Sequence, residues 1–289
     1  FGTAMGLDAG DVDGDGDLDI CQTNLGPNYI YKQQESNTYV EASLESGLNL
    51  GISAESVSWD CSIIDIDLDG DLDIWFGSGN LNPFFSFSPN SIYLNNGDGV
   101  FGEVVLNSDL INPMSKTMGS AWCDFDLDGD LDLIVGDSNF GVTYYENDAS
   151  QREGAEWIAI DVIEPYGDAN ISLTSVGAKV DFELSNGKLI RQIVKIGSGF
   201  SGSKDTTIHL GIPEGESIVS ITVIWNDGAE AYISQPETNQ YLEVDKSKDY
   251  DSKAFGEQIP DEIRVLPLAI LLIFSSLFIY KLVFGSKRN

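Results

Sequence analysis

The chain is short of positive charge and of the residues that most often do chemistry. It has 15 Lys+Arg against 47 Asp+Glu, a formal net charge of -32, one His and 3 Cys in 289 residues. A phosphate-binding face needs clustered Lys and Arg, so nucleic acid is not an expected partner. A single His excludes multi-His metal sites and leaves little for Ser-His-Asp chemistry. Cys21, Cys61 and Cys123 form no CxxC pair and no zinc framework, and they allow at most one internal disulfide. They read as small buried residues rather than nucleophiles. Hydrophobic residues make up 42% of the chain, enough to bury a core, so this is not a disordered acidic tail.

The acid is unevenly placed. Residues 1–151 hold 27 acids and only Lys32 and Lys116 as bases, whereas residues 152–260 hold 18 acids and 9 bases. Residues 261–289 reverse the sign, with 2 acids and 4 bases. The shifts predict repeats over 1–150, a second β domain over 151–245, a linker over 246–264, a membrane span over 265–284 and a tail over 285–289.

Three nine-residue windows concentrate the acid: Asp11 to Asp19, Asp65 to Asp73 and Asp124 to Asp132. Their starts are 54 and 59 residues apart, the mark of a repeat architecture. The likeness continues downstream. Pro27-Asn28-Tyr29-Ile30-Tyr31 matches Pro89-Asn90-Ser91-Ile92-Tyr93, and Gln33-Gln34 matches Asn95-Asn96. Each unit reads as a strand, an acidic loop and three more short strands, the organisation of a propeller blade. The second repeat carries an extra stretch at 81–88, and the third ends early.

Alternate Asp at loop positions 1, 3 and 5 places three carboxylates about one point when the loop curls. Gly16, Gly70 and Gly129 at position 6 permit the sharp turn. Position 9 closes the site. Oxygen-only, highly charged ligands favour Ca²⁺ over Mg²⁺, so three Ca²⁺ sites are expected. The side-chain ligand candidates are Asp11, Asp13, Asp15 and Asp19; Asp65, Asp67, Asp69 and Asp73; and Asp124, Asp126, Asp128 and Asp132. Asp17, Asp71 and Asp130 would contribute carbonyls, with side chains turned outward. An EF-hand reading fails, because position 12 is Gln22, Phe76 and Val135 rather than Glu, and the flanks read as strands.

These loops resemble the calcium loops of FG-GAP/VCBS repeats, the blades of integrin-like β-propellers, over about 1–150. The resemblance implies sites that hold blades together rather than catalyse. About three blades are visible where such propellers close with about seven. With Phe1 in first place, this suggests the C-terminal part of a longer protein, or a partial propeller that oligomerises.

The second zone reads as antiparallel β, with a strong hairpin signal at Asn186-Gly187. Ser175-Val176-Gly177-Ala178, Gly197-Ser198-Gly199-Phe200-Ser201-Gly202, His209-Leu210-Gly211 and Trp225-Asn226-Asp227-Gly228 resemble the ASPIC/UnbV domain. The order, repeats then this domain, is that of the cartilage acidic protein family. His209 reads as a hydrogen-bonded strand residue, and Asn170-Ile171-Ser172 is a weak glycosylation signal.

Val265 to Tyr280 carries no charge, and the stretch to Phe284 would span about 30 Å as a helix. Lys281, Lys287 and Arg288 at its end place the C-terminus in the cytoplasm and the other domains outside. The expected whole is all-β: a partial β-propeller, a small antiparallel β domain and one C-terminal transmembrane helix. Its expected role is non-catalytic, calcium-dependent adhesion or binding of an extracellular protein or glycan. A calcium-dependent polysaccharide-processing enzyme and a purely structural scaffold remain the alternatives.

Overall fold

Short runs of alternating or wholly apolar residues, broken by Gly, Asn and Asp, give strands. The computed structural model describes residues 3–34, 38–48, 56–80, 89–104, 110, 115–166, 171–200 and 202–250. The first repeat forms β1 (Ala4–Gly10), β2 (Asp19–Asn24), β3 (Tyr29–Gln34) and β4 (Thr38–Glu41). The second forms β5 (Ser58–Ile64), β6 (Asp73–Ser78), β7 (Ser91–Asn95) and β8 (Phe101–Val104). The third supplies β9 (Thr117–Cys123), β10 (Asp132–Asp137) and β11 (Gly141–Tyr145). Strands pair with their neighbours in chain order within each repeat, all antiparallel. Each acidic loop joins the first strand of a sheet to the second. The ladder closes in the same register every time, with Gly10 opposite Asp19, Ile64 opposite Asp73 and Cys123 opposite Asp132.

The sheets pack through their first strands, β1 on β5 and β5 on β9. Cys21, Ile30, Cys61, Ile74, Phe76 and Tyr93 fill the space between the first two. Trp75 and Trp122 meet edge to face, centroids 5.9 Å apart, between the second and third. All three cysteines are free and buried.

The rest of unit Phe1–Gln258 adds β12 (Glu156–Pro165), β13 (Ser172–Thr174), β14 (Lys179–Leu184), β15 (Leu189–Ile193) and β16 (Gly197–Ser198). There follow β17 (Gly202–Lys204), β18 (Ile208–Ile212), β19 (Ile218–Ile224), β20 (Glu230–Ser234) and β21 (Gln240–Asp245). One sheet centres on β12, flanked by β13, β18 and β21, and another runs β15-β14-β19-β20. They share a core including Ile158, Ile160, Phe182, Leu210, Ile221 and Val244.

Two expectations change. The fold is all-β and propeller-like, but it has five blade-sized sheets rather than about three. The C-terminal zone builds two more four-stranded sheets and lends β16 and β17 to the third repeat. Nor is that zone wholly antiparallel, since β21 runs parallel to β12 and β17 parallel to β9. Turn signals report neighbouring hairpins, and these pairings join distant segments. The Asn186-Gly187 hairpin forms between β14 and β15. Helix among the described residues is confined to short turns such as the 3-10 turn Ala149–Gln151. The membrane span 265–284, the tail 285–289, the linker beyond 250, the insertion 81–88 and Asn170 lie outside the described residues. Among the described residues no helix is long and apolar enough to cross a membrane.

Candidate metal centre

The three loops fold by one hydrogen-bond scheme. The position 1 carboxylate sits inside the curl and accepts backbone N–H groups from positions 5 and 6. Asp11 takes Asp15 N at 3.2 Å and Gly16 N at 2.9 Å. Asp65 takes Asp69 N at 3.2 Å and Gly70 N at 3.1 Å. Asp124 takes Asp128 N at 3.1 Å and Gly129 N at 2.8 Å. The glycines hold φ of +87°, +87° and +105°, the left-handed region the turn requires. Position 4 is left-handed too, and there Leu68 and Leu127 stand where the first loop has Gly14.

Position 9 staples the curl from the other side. Asp19, Asp73 and Asp132 accept N–H of position 2 at 3.1, 2.8 and 3.0 Å. Their second oxygens accept N–H of Gln33, Asn95 and Asn147 at 2.9, 2.8 and 2.9 Å. The Gln33–Asn95 correspondence visible between the repeats thus marks a donor to the loop.

Carboxylate oxygens converge within 4.8 Å in three groups: Asp11, Asp13 and Asp15; Asp65, Asp67 and Asp73; Asp124, Asp126 and Asp132. Asp19 is not in the first group, and Asp69 and Asp128 are not in theirs. Asp69 instead accepts Asp71 N at 3.0 Å, and Asp128 accepts the Ser150 hydroxyl at 2.8 Å. Of the three carbonyl candidates, Asp71 pairs with Lys188 and Asp17 donates its N–H to Asp15 at 2.9 Å. Asp130 departs from the expected outward side chain: it is buried and accepts Ser150 N at 2.8 Å.

The carboxylates are crowded and desolvated. Burial pushes Asp65 up to about 8, with Asp69 and Asp67 adding to it against the N–H bonds it receives. Burial likewise raises Asp19 to about 7, Asp11 to about 6 and Asp69 to about 6, and holds Asp73 well above the carboxylate range. Asp13 Oδ1 and Asp67 Oδ1 are buried with no hydrogen-bond partner. Converging carboxylates, two of which carry a buried oxygen without a donor, fit a hard divalent cation that takes many oxygen ligands. Asp13 and Asp67 would hold it together with their groups.

Lys32, Lys188 and Tyr241 carry no local sequence signal, and Gly211 stands in the His209-Leu210-Gly211 match with nothing there that points to a loop. Lys32 Nζ lies 3.2 Å from Asp13 Oδ2, and Lys188 pairs with Asp71. Gly211 N–H donates to Asp65 at 2.7 Å, and the Tyr241 hydroxyl donates to Asp124. His209 is buried, with Nδ1 3.5 Å from Gly129 O and Nε2 unpartnered.

Comparison with known proteins agrees with this organisation. The FG-GAP-like repeat family matches residues 11–76 and 65–135, which contain the three loops. The ASPIC and UnbV family matches residues 172–250. Cartilage acidic protein 1 of Homo sapiens is 26% identical over 256 residues, 86% of this chain and 37% of that protein. The Mus musculus protein is 26% identical over 255 residues, 85% of this chain and 38% of that protein. The chain therefore spans well under half the length of these curated relatives, and it carries FG-GAP-like repeats followed by an ASPIC and UnbV domain.

Proposed function

We propose that the chain is a calcium-stabilised, non-catalytic binding module that presents its blades to an extracellular protein or glycan. The carrying observation is the threefold recurrence of converging carboxylates in one loop geometry, inside repeats that match the FG-GAP-like family. Three Ca²⁺ ions, one per loop, are the proposed complement. Ca²⁺ offsets the desolvation, and the smaller repulsion between neighbouring carboxylates, that raise Asp11, Asp19 and Asp65. Extracellular calcium modules bind at about 10⁻⁴–10⁻³ M, so a site of about 0.1 mM affinity in about 1 mM Ca²⁺ gains about 1.4 kcal/mol by mass action. The apolar stretch 265–284, whose one charge is Lys281 near its end, is proposed as a single membrane span with the blades outside, on the strength of its sequence.

The direct test is thermal unfolding with and without EDTA, beside elemental analysis. We expect EDTA to lower the Tm, Ca²⁺ to restore it, and about three Ca²⁺ to co-purify per chain. An unchanged Tm with no bound calcium refutes the proposal. Retention on protein or glycan arrays that disappears in EGTA would identify the ligand class.

A further inference from the structure

The acidic loops are roofed by the C-terminal sheets, each through different residues. On the first, Arg191 Nη1 donates to Gly16 O at 2.9 Å while the same guanidinium grips Asp181. On the second, Gly211 N–H reaches Asp65 Oδ2 at 2.7 Å. A side chain at 211 is barred, because a Cβ there would lie 2.2 Å from the Leu68 carbonyl carbon. On the third, Tyr241 donates its hydroxyl to Asp124 Oδ2, and Trp157 covers Gly129 so closely that a Cβ there would lie 1.9 Å from its ring. Asp65 and Asp124 are the buried position 1 carboxylates of their groups.

We infer that Gly211 and Tyr241 are positioning residues of the second and third calcium sites, so that filling those sites and seating the C-terminal sheets are one linked equilibrium. The inference rests on the calcium reading proposed above. A carboxylate that ligates a metal is oriented by its own hydrogen bonds, and losing such a partner costs about 10- to 100-fold in affinity. Both donors come from the module that covers the loop, so a filled site holds β18 and β21 in place. Reciprocally, seated strands hold the carboxylates for the ion. The first loop is an internal control, because its roof touches a carbonyl rather than a ligand carboxylate.

Tyr241→Phe isolates the hydroxyl. The ring also packs edge-on against Trp157 and His209, with centroids 5.4 and 5.9 Å away, and Phe keeps those contacts. The experiment is residue-resolved hydrogen exchange of the full chain during a Ca²⁺ titration. In the wild type, Ca²⁺ slows exchange in β18 and β21 with the same midpoints as in the second and third loops. In Tyr241→Phe the midpoint of the loop Asp124 to Asp132 rises about tenfold while that of Asp11 to Asp19 stays put. Asp126→Asn is the reciprocal variant: it removes an exposed carboxylate from the third group and loosens β21 without touching it. If Ca²⁺ protects the loops but leaves β18 and β21 unchanged, or if Tyr241→Phe leaves the third midpoint in place, the linkage is wrong and the calcium reading survives. If no amide responds and no calcium binds, both fall together.

Discussion

Lys32 reaches Asp13, a member of the first converging group, and so competes with any cation placed there. Lys32→Met should tighten Ca²⁺ binding in the first loop about fivefold, the worth of a partly exposed pair near 1 kcal/mol. Site-resolved titration would show it, and weaker binding would contradict the competition. Two glycine variants separate backbone from packing. Gly16→Ala meets nothing nearer than Arg191 Nη1 at 4.0 Å, so it should cost only the left-handed conformation, about 1–2 kcal/mol. Gly129→Ala also strikes Trp157 and should cost about 2–5 kcal/mol. Equal urea midpoints for the two would mean that Trp157 yields freely.

Much of this detail was readable from the sequence, and for a definite reason. Asp11, Asp13, Asp15 and Gly16 act within one turn of chain, so their spacing encodes their geometry. Tyr241 and Asp124 are 117 positions apart, and Gly211 and Asp65 are 146 apart. No local pattern marks these pairings. Asp130 misled because its spacing matches Asp17 and Asp71, yet Ser150 draws its side chain inward.

The acidic hairpins together make stability depend on pH. Asp11, Asp19, Asp65 and Asp69 hold protons in the folded chain up to about 6, 7, 8 and 6, against an ordinary value of 3.8. Over that window the native state binds more protons than the unfolded chain, so calcium-free stability falls as pH rises from about 4 to about 8. Bound Ca²⁺ replaces those protons. Denaturant midpoints in EGTA should therefore decline from pH 5 to pH 8, and in excess Ca²⁺ the decline should vanish. A flat profile in EGTA would show the carboxylates already ionised. The strands themselves are marked by short apolar or alternating runs, and β6 is the plainest, because Ile74, Trp75 and Phe76 form an unbroken apolar run buried between two sheets. The completion of the third sheet did not follow, because β16 and β17 are too short to announce themselves.

The repeats and the C-terminal sheets are joined through a buried ion cluster. Burial raises the Asp8 carboxyl, but Lys195 and Lys204 beside it bring it below its ordinary value. Burial takes Lys204 down to about 8 despite Asp8. Lys204 also donates to Ile63 O at 2.7 Å, and Asp8 accepts Ile63 N at 2.7 Å. Asp8→Asn should cost about 3–5 kcal/mol by leaving the buried Lys204 and the partly buried Lys195 without their counterion. With residues 1–258 forming one compact unit, calorimetry should give a single transition. Two well-separated peaks would mean that the cluster couples the parts only weakly.

The seat of β17 beside β9 also sets a timetable. Ser203 and Lys204 pair with Ala121 and Trp122, so the inner edge of the third sheet stays open until the chain has been made well past it. At about 5–20 residues per second, the 81 residues from Cys123 to Lys204 take about 4–16 s to emerge. During that interval the edge of β9 is an unpaired template for any neighbouring strand. The nascent chain is therefore most exposed to mispairing late in synthesis, after its repeats are complete and before residue 204 arrives.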